Sequence, residues 1–226
     1  MKALRFSEQS RGGPKSRCHL LEIISYLLLM TSFERPQAKT SLTHPLRIDN
    51  VSAPGGGLIG MTFCPGKKQQ NAMTGAWDRD LKLDLERVRA LGAVAVVTLM
   101  ENHELAKYQV EHLGLEVKAL GIEWHHLPIR DWDVPREPFE ERWLRSGPKL
   151  RNHLAEGRRI LLHCLGGLGR TGTIAVQLLA ELGRPAQSAL EVVRQARHGA
   201  VETEAQRAYA LAVLPITEQP IADGNG

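Results

Sequence analysis

No apolar stretch in this chain approaches membrane-spanning length; Leu20 to Met30 is short and is interrupted by Glu22. Its three cysteines, Cys18, Cys64 and Cys164, are an odd number without metal-site spacing. That argues against a disulfide scaffold and for a reducing cytoplasm. Excess charge is missing from the body of the chain. Residues 1–50 carry eight Lys or Arg against four Asp or Glu, and the rest carries 21 of each, so the whole net charge of +4 sits in the N-terminal arm. A balanced body argues against a nucleic-acid partner.

The 226 residues suffice for one domain with a sizeable core and an additional arm. Residues 1–45 read as a disordered or loosely docked arm, 46–218 as a catalytic domain and 219–226 as a tail. Within the arm, a basic start followed by Leu20 to Met30 has the outline of a signal peptide. The acid inside the apolar run and the lack of a small-residue cleavage motif weigh against one, and Met30 is an alternative start.

Beyond Ala53-Pro54-Gly55-Gly56-Gly57, a strand is predicted at Leu58–Phe63, then a turn, Cys64-Pro65-Gly66-Lys67-Lys68. This turn reads first as solvated, with a second wall of a site as the alternative. A helix is predicted over Asp78–Leu91 with Asp78 as its cap, a doubly buried strand at Ala93–Leu99, a helix over Glu104–His112 and a strand at Ile122–Leu127. Glu137–Glu156 reads as a helix kinked or split at Gly147-Pro148, Pro185–Arg197 as another, and a last helix runs up to Leu214. Strand–helix alternation of this kind specifies an α/β fold, a mostly parallel sheet with helices on both faces. His125 and His126 are neighbours on a strand and point to opposite faces, so one metal ion cannot readily use both; no metal or cofactor is expected.

The chemistry concentrates in His163-Cys164-Leu165-Gly166-Gly167-Leu168-Gly169-Arg170-Thr171-Gly172. Arg159-Ile160-Leu161-Leu162 before it reads as a buried strand, and Thr171–Leu182 after it as a helix ending at Gly183. A glycine-rich turn between strand and helix aims backbone amides and the positive end of a helix dipole at one point, a site for a phosphate-like dianion. A thiol placed there, as Cys164 is, has its charged form favoured. Arg170 can grip two oxygens of the anion, and glycines at 166, 167 and 169 let the backbone approach closely.

His-Cys, five residues, Arg, Thr resembles the signature loop of the cysteine-based protein tyrosine and dual-specificity phosphatases. The resemblance extends over Leu58–Leu214 and implies their fold and a phosphomonoesterase chemistry with a cysteinyl-phosphate intermediate. Cys164 would be the nucleophile, and the loop Leu165, Gly166, Gly167, Leu168, Gly169 with Arg170 the phosphate cradle. Thr171 would stabilise the returning thiolate and His163 would orient the loop. The resemblance also implies a general acid on the loop leaving the preceding strand, where Asp131 matches best and Asp133 is the alternate. Gly199–Gln206 resembles the segment that supports the hydrolytic water, with Glu202 where relatives usually carry glutamine and Gln206 as a second candidate. Glu202 and Thr203 could equally just open the last helix.

No segment resembles the phosphotyrosine-recognition loop of tyrosine-only enzymes, which implies a shallower, dual-specificity pocket. The loop carries Leu165 and Leu168 where enzymes acting on inositol polyanions tend to carry lysine. A phosphorylated protein or small phosphomonoester is therefore the expected substrate. An inositol phosphate, or a module that binds phosphate without turnover, is the alternative. Likeness to kinase-associated members implies a kinase as partner by resemblance alone.

Overall fold

The computed structural model describes residues 37–216. The Leu20–Met30 stretch, the alternative start at Met30 and the 219–226 tail lie outside the described residues. In chain order the elements are β1 (Asp49–Ser52), β2 (Leu58–Phe63), β3 (Lys68–Gln69), β4 (Trp77–Asp78), α1 (Leu81–Ala90), β5 (Ala93–Thr98), α2 (Asn102–Lys107), α3 (Leu113–Ala119), β6 (Glu123–His126), α4 (Phe139–Ala155), β7 (Arg159–Cys164), α5 (Gly169–Glu181), α6 (Ala186–Ala196) and α7 (Glu204–Leu211).

Five strands form one sheet in the order β1-β2-β7-β5-β6, and β3 and β4 form a separate two-stranded ribbon. All pairings in the large sheet are parallel except that of β1, an antiparallel edge strand on β2. Consecutive residues of β7, Ile160, Leu161 and Leu162, are each at most 1% exposed. Since neighbours on a strand face opposite ways, both faces of the sheet are covered by helices. Parallel strands bring their C-terminal ends to one edge, so the segments following Thr98, His126 and Cys164 emerge side by side. No helix among the described residues is long and apolar enough to cross a membrane.

Several elements differ from their sequence expectations. Asp80, not Asp78, caps α1: its Oδ1 accepts the Leu83 amide at 2.9 Å, whereas Asp78 pairs with Lys68 in the β3–β4 ribbon. The helix predicted over Glu104–His112 starts and stops earlier, as α2 over Asn102–Lys107; a turn in which Gln109 has φ +58° follows, and α3, beyond the predicted span, is an additional helix. α4 runs unbroken through Pro148. The carbonyl deprived of its partner there belongs to Leu144, 77% exposed, where water can replace the lost bond, while Leu150 and Leu154 farther on are fully buried. Nor is the chain before residue 46 loose where it is described. Lys39 bridges to Trp77, and the Ser41 hydroxyl, on a residue 9% exposed, accepts the Asp80 amide at 2.9 Å.

The turn at 64–67 is buried rather than solvated, with Lys67 only 6% exposed. Two features account for this. Asp84 takes the Gly66 amide at 2.8 Å and the Arg79 guanidinium through Nε (2.8 Å) and Nη2 (2.7 Å). Phe63 and Trp77 also present their ring faces to both Lys67 and Arg79 at 5.0–5.5 Å. Removing one partner of such a pair strands a charge in the core. Asp84→Ala should therefore lower stability by about 3–5 kcal/mol in urea denaturation; a loss under about 1 kcal/mol would show that the pair does not hold the turn.

Candidate active site

The segment from Cys164 to Arg170 leaves the end of β7 and enters α5, and the carbonyls of Leu165, Gly166 and Gly167 are anchored outward. Leu165 O accepts the Cys64 amide at 3.3 Å and the Lys67 ammonium at 3.4 Å. Gly166 O and Gly167 O both accept from the Arg197 guanidinium, whose Nη1 is held by Asp49 Oδ2 at 2.7 Å and also donates to Met61 O. In a trans peptide the N–H points opposite to the C=O, so these anchors turn the amides of residues 166–168 toward the inside of the loop. One of them, Gly167 N–H, donates to Cys164 Sγ at 3.1 Å. Gly167 has φ +73°, and a Cβ there would lie 2.3 Å from Thr62 O, so only glycine fits this position. Leu165 and Leu168 are half-buried, Gly166 is exposed, and Cys164 is 3% exposed at the loop's base.

Arg170, 2% exposed, is held far more elaborately than its sequence position suggests. Glu104 takes it bidentately, Nη1 to Oε2 at 2.6 Å and Nη2 to Oε1 at 2.9 Å, and Ile129 O accepts Nη1 at 3.0 Å. Burial alone would lower its pKa, but the Glu104 bonds and the anionic groups around it raise it, so the guanidinium is permanently charged. The fork predicted to grip a phosphate therefore already grips Glu104. What remains for an anion is the Nε/Nη2 edge, and Asp131 Oδ1 sits on it at 2.9 Å from Nη2. Asp131 is thus brought to the loop, its carboxylate half exposed. Asp133 is turned away: its Oδ1 takes the amide of Val134 at 2.8 Å, which holds the carboxyl below its ordinary range, with Arg136 adding to the effect.

His163 is fully buried beneath the loop. Its Nε2 lies 2.8 Å from Thr98 Oγ1, which accepts the Trp124 indole N–H at 2.9 Å. Burial pushes the imidazole down to about 3, against the Cys164 backbone, which favours its charged form. A ring neutral across the working range can fix the strand end but does not serve as a general acid or base. Thr171 Oγ1 is buried without a hydrogen-bond partner at the first turn of α5.

Glu202 Oε2 accepts the Gly169 amide at 2.8 Å. Gln206 plays a different part. Its Oε1 takes the amides of Glu202 (3.0 Å) and Thr203 (3.2 Å), and its Nε2 donates to Asp133 O at 3.2 Å, so its side chain ties the start of α7 to the acid-bearing loop. His125 and His126 go to separate partners, Ser146 with Glu123 and Met100 O respectively.

Three residues important to this geometry were not singled out as such from sequence: Glu104, Arg197 and Lys67. Glu104 carried one local sign, the spacing Glu101-x-x-Glu104 of a capping box, which turns its side chain back over the N-terminus of α2. Lys67 belonged to a turn whose wall reading ranked second. Nothing local marked Arg197, the last residue of a helix. Beside Asp131 opens a cavity of about 430 Å³ lined by Lys107, Tyr108, Arg130, His103, Glu101 and Glu104.

Residues 73–184 match the family model described as "Polymorphic toxin system, DSP-PTPase phosphatase". Among curated proteins the chain is similar to cyclin-dependent kinase inhibitor 3 of Rattus norvegicus, 31% identical over 160 residues that cover 67% of this chain and 69% of the relative. It is also similar to protein tyrosine phosphatase type IVA 3 of Homo sapiens, 30% identical over 120 residues, 53% of this chain and 64% of the relative. Among solved structures it is similar to kinase-associated phosphatase with serine in place of the catalytic-site cysteine: TM-score 0.65, 27% identity, 74% of this chain and 92% of that one.

The state of His163 has a consequence for stability. Above pH 6.5 the ring is neutral both folded and unfolded; between 6.5 and about 3 the unfolded chain binds a proton that the folded chain refuses. Stability should therefore fall as pH falls through that window, by up to about 1.4 kcal/mol per pH unit from this residue. Urea midpoints of wild type and His163→Gln between pH 7 and 4 should show the steeper decline in wild type. Parallel curves would contradict a buried neutral histidine.

Proposed function

The chain belongs to the dual-specificity branch of the cysteine-dependent protein tyrosine phosphatases, and from that membership we propose that its chemistry runs through Cys164, Arg170 and Asp131. It is a protein phosphatase, and its substrate is a phosphorylated protein. The Cys164 thiolate attacks phosphorus, a phosphorus–sulfur bond forms, and the phosphorus–oxygen bond to the substrate breaks. The inward amides of the loop and the Nε/Nη2 edge of Arg170 hold the equatorial oxygens. Asp131 protonates the departing oxygen, then takes a proton from the water that cleaves the cysteinyl phosphate. Sulfur leaves as thiolate, and the orphan hydroxyl of Thr171 is available to meet it. His163, neutral, keeps the strand end in place.

The observation that carries this reading is the convergence on one guanidinium: Asp131 2.9 Å from Arg170 Nη2, at the end of a loop whose Gly167 amide already donates to Cys164 Sγ. Both aspartates accept the backbone amide of the next residue, Asp131 from Trp132 at 3.2 Å and Asp133 from Val134 at 2.8 Å, but Asp131 lies on Arg170 while Asp133 pairs with Arg136, which makes Asp133 the weaker acid candidate. A reducing cytoplasm suits a free nucleophilic thiol. The names of the relatives, a kinase inhibitor and a kinase-associated phosphatase, support a phosphorylated kinase as the protein substrate.

Hydrolysis of para-nitrophenyl phosphate and of an alkyl phosphate tests the roles. Cys164→Ser should abolish turnover. Asp131→Ala should lower kcat by about 10²–10⁴, most for the alkyl leaving group, and Asp133→Ala should stay near wild type. Turnover by Cys164→Ser at the wild-type rate would remove the nucleophile, and a loss confined to Asp133→Ala would move the acid.

A further inference from the structure

Two of the groups that a phosphate would use are already occupied by the protein's own carboxylates. Asp131 Oδ1 is on Arg170 Nη2 at 2.9 Å, and Glu202 Oε2 is on Gly169 N–H at 2.8 Å. Gly169 opens α5, so its amide is one of the helix's unpaired donors and projects from the positive end of the helix dipole at the loop. A Cβ at residue 169 would sit 2.7 Å from Glu202 Oε2, so the carboxylate lies directly over the loop backbone.

Glu202 is presented there by a rigid support. Val201, at φ +62°, donates its amide to Leu168 O at 3.3 Å, Arg194 Nη2 donates to Val201 O at 3.0 Å, and Gln206 Oε1 holds the Glu202 amide at 3.0 Å. Among the described residues no Lys, Arg or His forms an ion pair with Glu202. The loop amide is the hydrogen-bond partner its carboxylate has.

Two anionic oxygens cannot share one N–H, and a carboxylate repels a phosphate brought to the next donor. Asp131 has a second task at the leaving oxygen, which takes it off the Arg170 edge as substrate enters. Glu202 has no such task in the first chemical step. We propose that Glu202 acts as an internal competitor for the phosphate cradle, an affinity-determining residue whose carboxylate must leave the Gly169 amide before a phosphate dianion is fully bound, and which returns to it as phosphate departs. A glutamine at this position, as relatives usually carry, is uncharged and could donate its amide to the anion. The inference rests on the phosphatase reading of the Cys164 loop and extends it: the chain's own glutamate sets how loosely the site holds phosphate, its product.

Inorganic phosphate is the probe. As a competitive inhibitor of para-nitrophenyl phosphate hydrolysis, it should bind Glu202→Gln more tightly than wild type, with Ki lowered on the order of tenfold. Calorimetric binding of phosphate to Cys164→Ser with and without Glu202→Gln should show the same ratio in the absence of turnover. Glu202→Ala, which removes the carboxylate without supplying a donor, should also tighten phosphate, by less than the glutamine variant. An unchanged or raised Ki in Glu202→Gln overturns the proposal. So does a lowered kcat with a para-nitrophenol burst at unchanged Ki, which would make Glu202 a water-positioning residue. Wild-type turnover by Cys164→Ser would instead overturn the phosphatase assignment, whatever Glu202 does.

Discussion

The bidentate pair between Glu104 and Arg170 is the contact on which the rest of the site depends. Its side chains are 7% and 1% exposed, so both charges are out of water, and each is tolerable only because the other is there. The pair joins elements far apart in the chain. Glu104 caps α2 through its bond to the Glu101 amide, while the guanidinium also reaches Leu99 O at the end of β5 and Ile129 O on the acid-bearing loop. With its Nη fork committed to Glu104, Arg170 can present only one edge to the loop. A flexible cation has become a fixed one, and Asp131 reaches that edge because Ile129 is anchored beside it.

A second arginine works from the other side. Arg197 and the buried turn carrying Lys67 hold the loop carbonyls outward, and the geometry of the trans peptide then aims the amides inward. The cradle is thus built from backbone dipoles braced by charged side chains that themselves need not touch an anion. Lys67 is buried against Phe63 and Trp77, and burial lowers its pKa, opposed by the neighbouring cysteine sulfurs only when they are ionised. The thiol of Cys64 is pushed well up by burial, which makes it a packing residue beside the proposed nucleophile. Electrostatic support of this kind costs no reorganisation when substrate arrives, because the dipoles are already oriented.

Much of this was legible in the sequence where the chemistry is contiguous. The strand, glycine turn and helix around Cys164 lie in one stretch, and the continuous apolar runs of β5 and β7 announce strands buried on both faces. Asp131 was legible only through resemblance, since an aspartate on a loop carries no signal of its own until the sheet brings that loop beside Cys164. Glu104 and Arg197 stayed hidden for a physical reason: they act 66 and 30 residues away from their partners, and helix periodicity does not encode what a long polar side chain reaches across a fold. The errors of local reading have similar causes. Pro148 reads as a kink or split because its lost hydrogen bond is visible in sequence, whereas the solvent-facing position that makes the loss tolerable is not. The turn at Lys67 reads as solvated because its lysines are visible, while Phe63, just before it, covers Lys67 only together with Trp77 from β4.

A double-mutant cycle on kcat/KM with Glu104→Gln and Arg170→Lys tests the central claim most directly. If Glu104 acts by fixing Arg170, each single change should cost about two orders of magnitude or more, and Glu104→Gln should add little in the Arg170→Lys background, with a coupling of at least about 2.5 kcal/mol. Strictly additive losses would contradict the account, since they would mean that Glu104 and Arg170 serve the reaction independently.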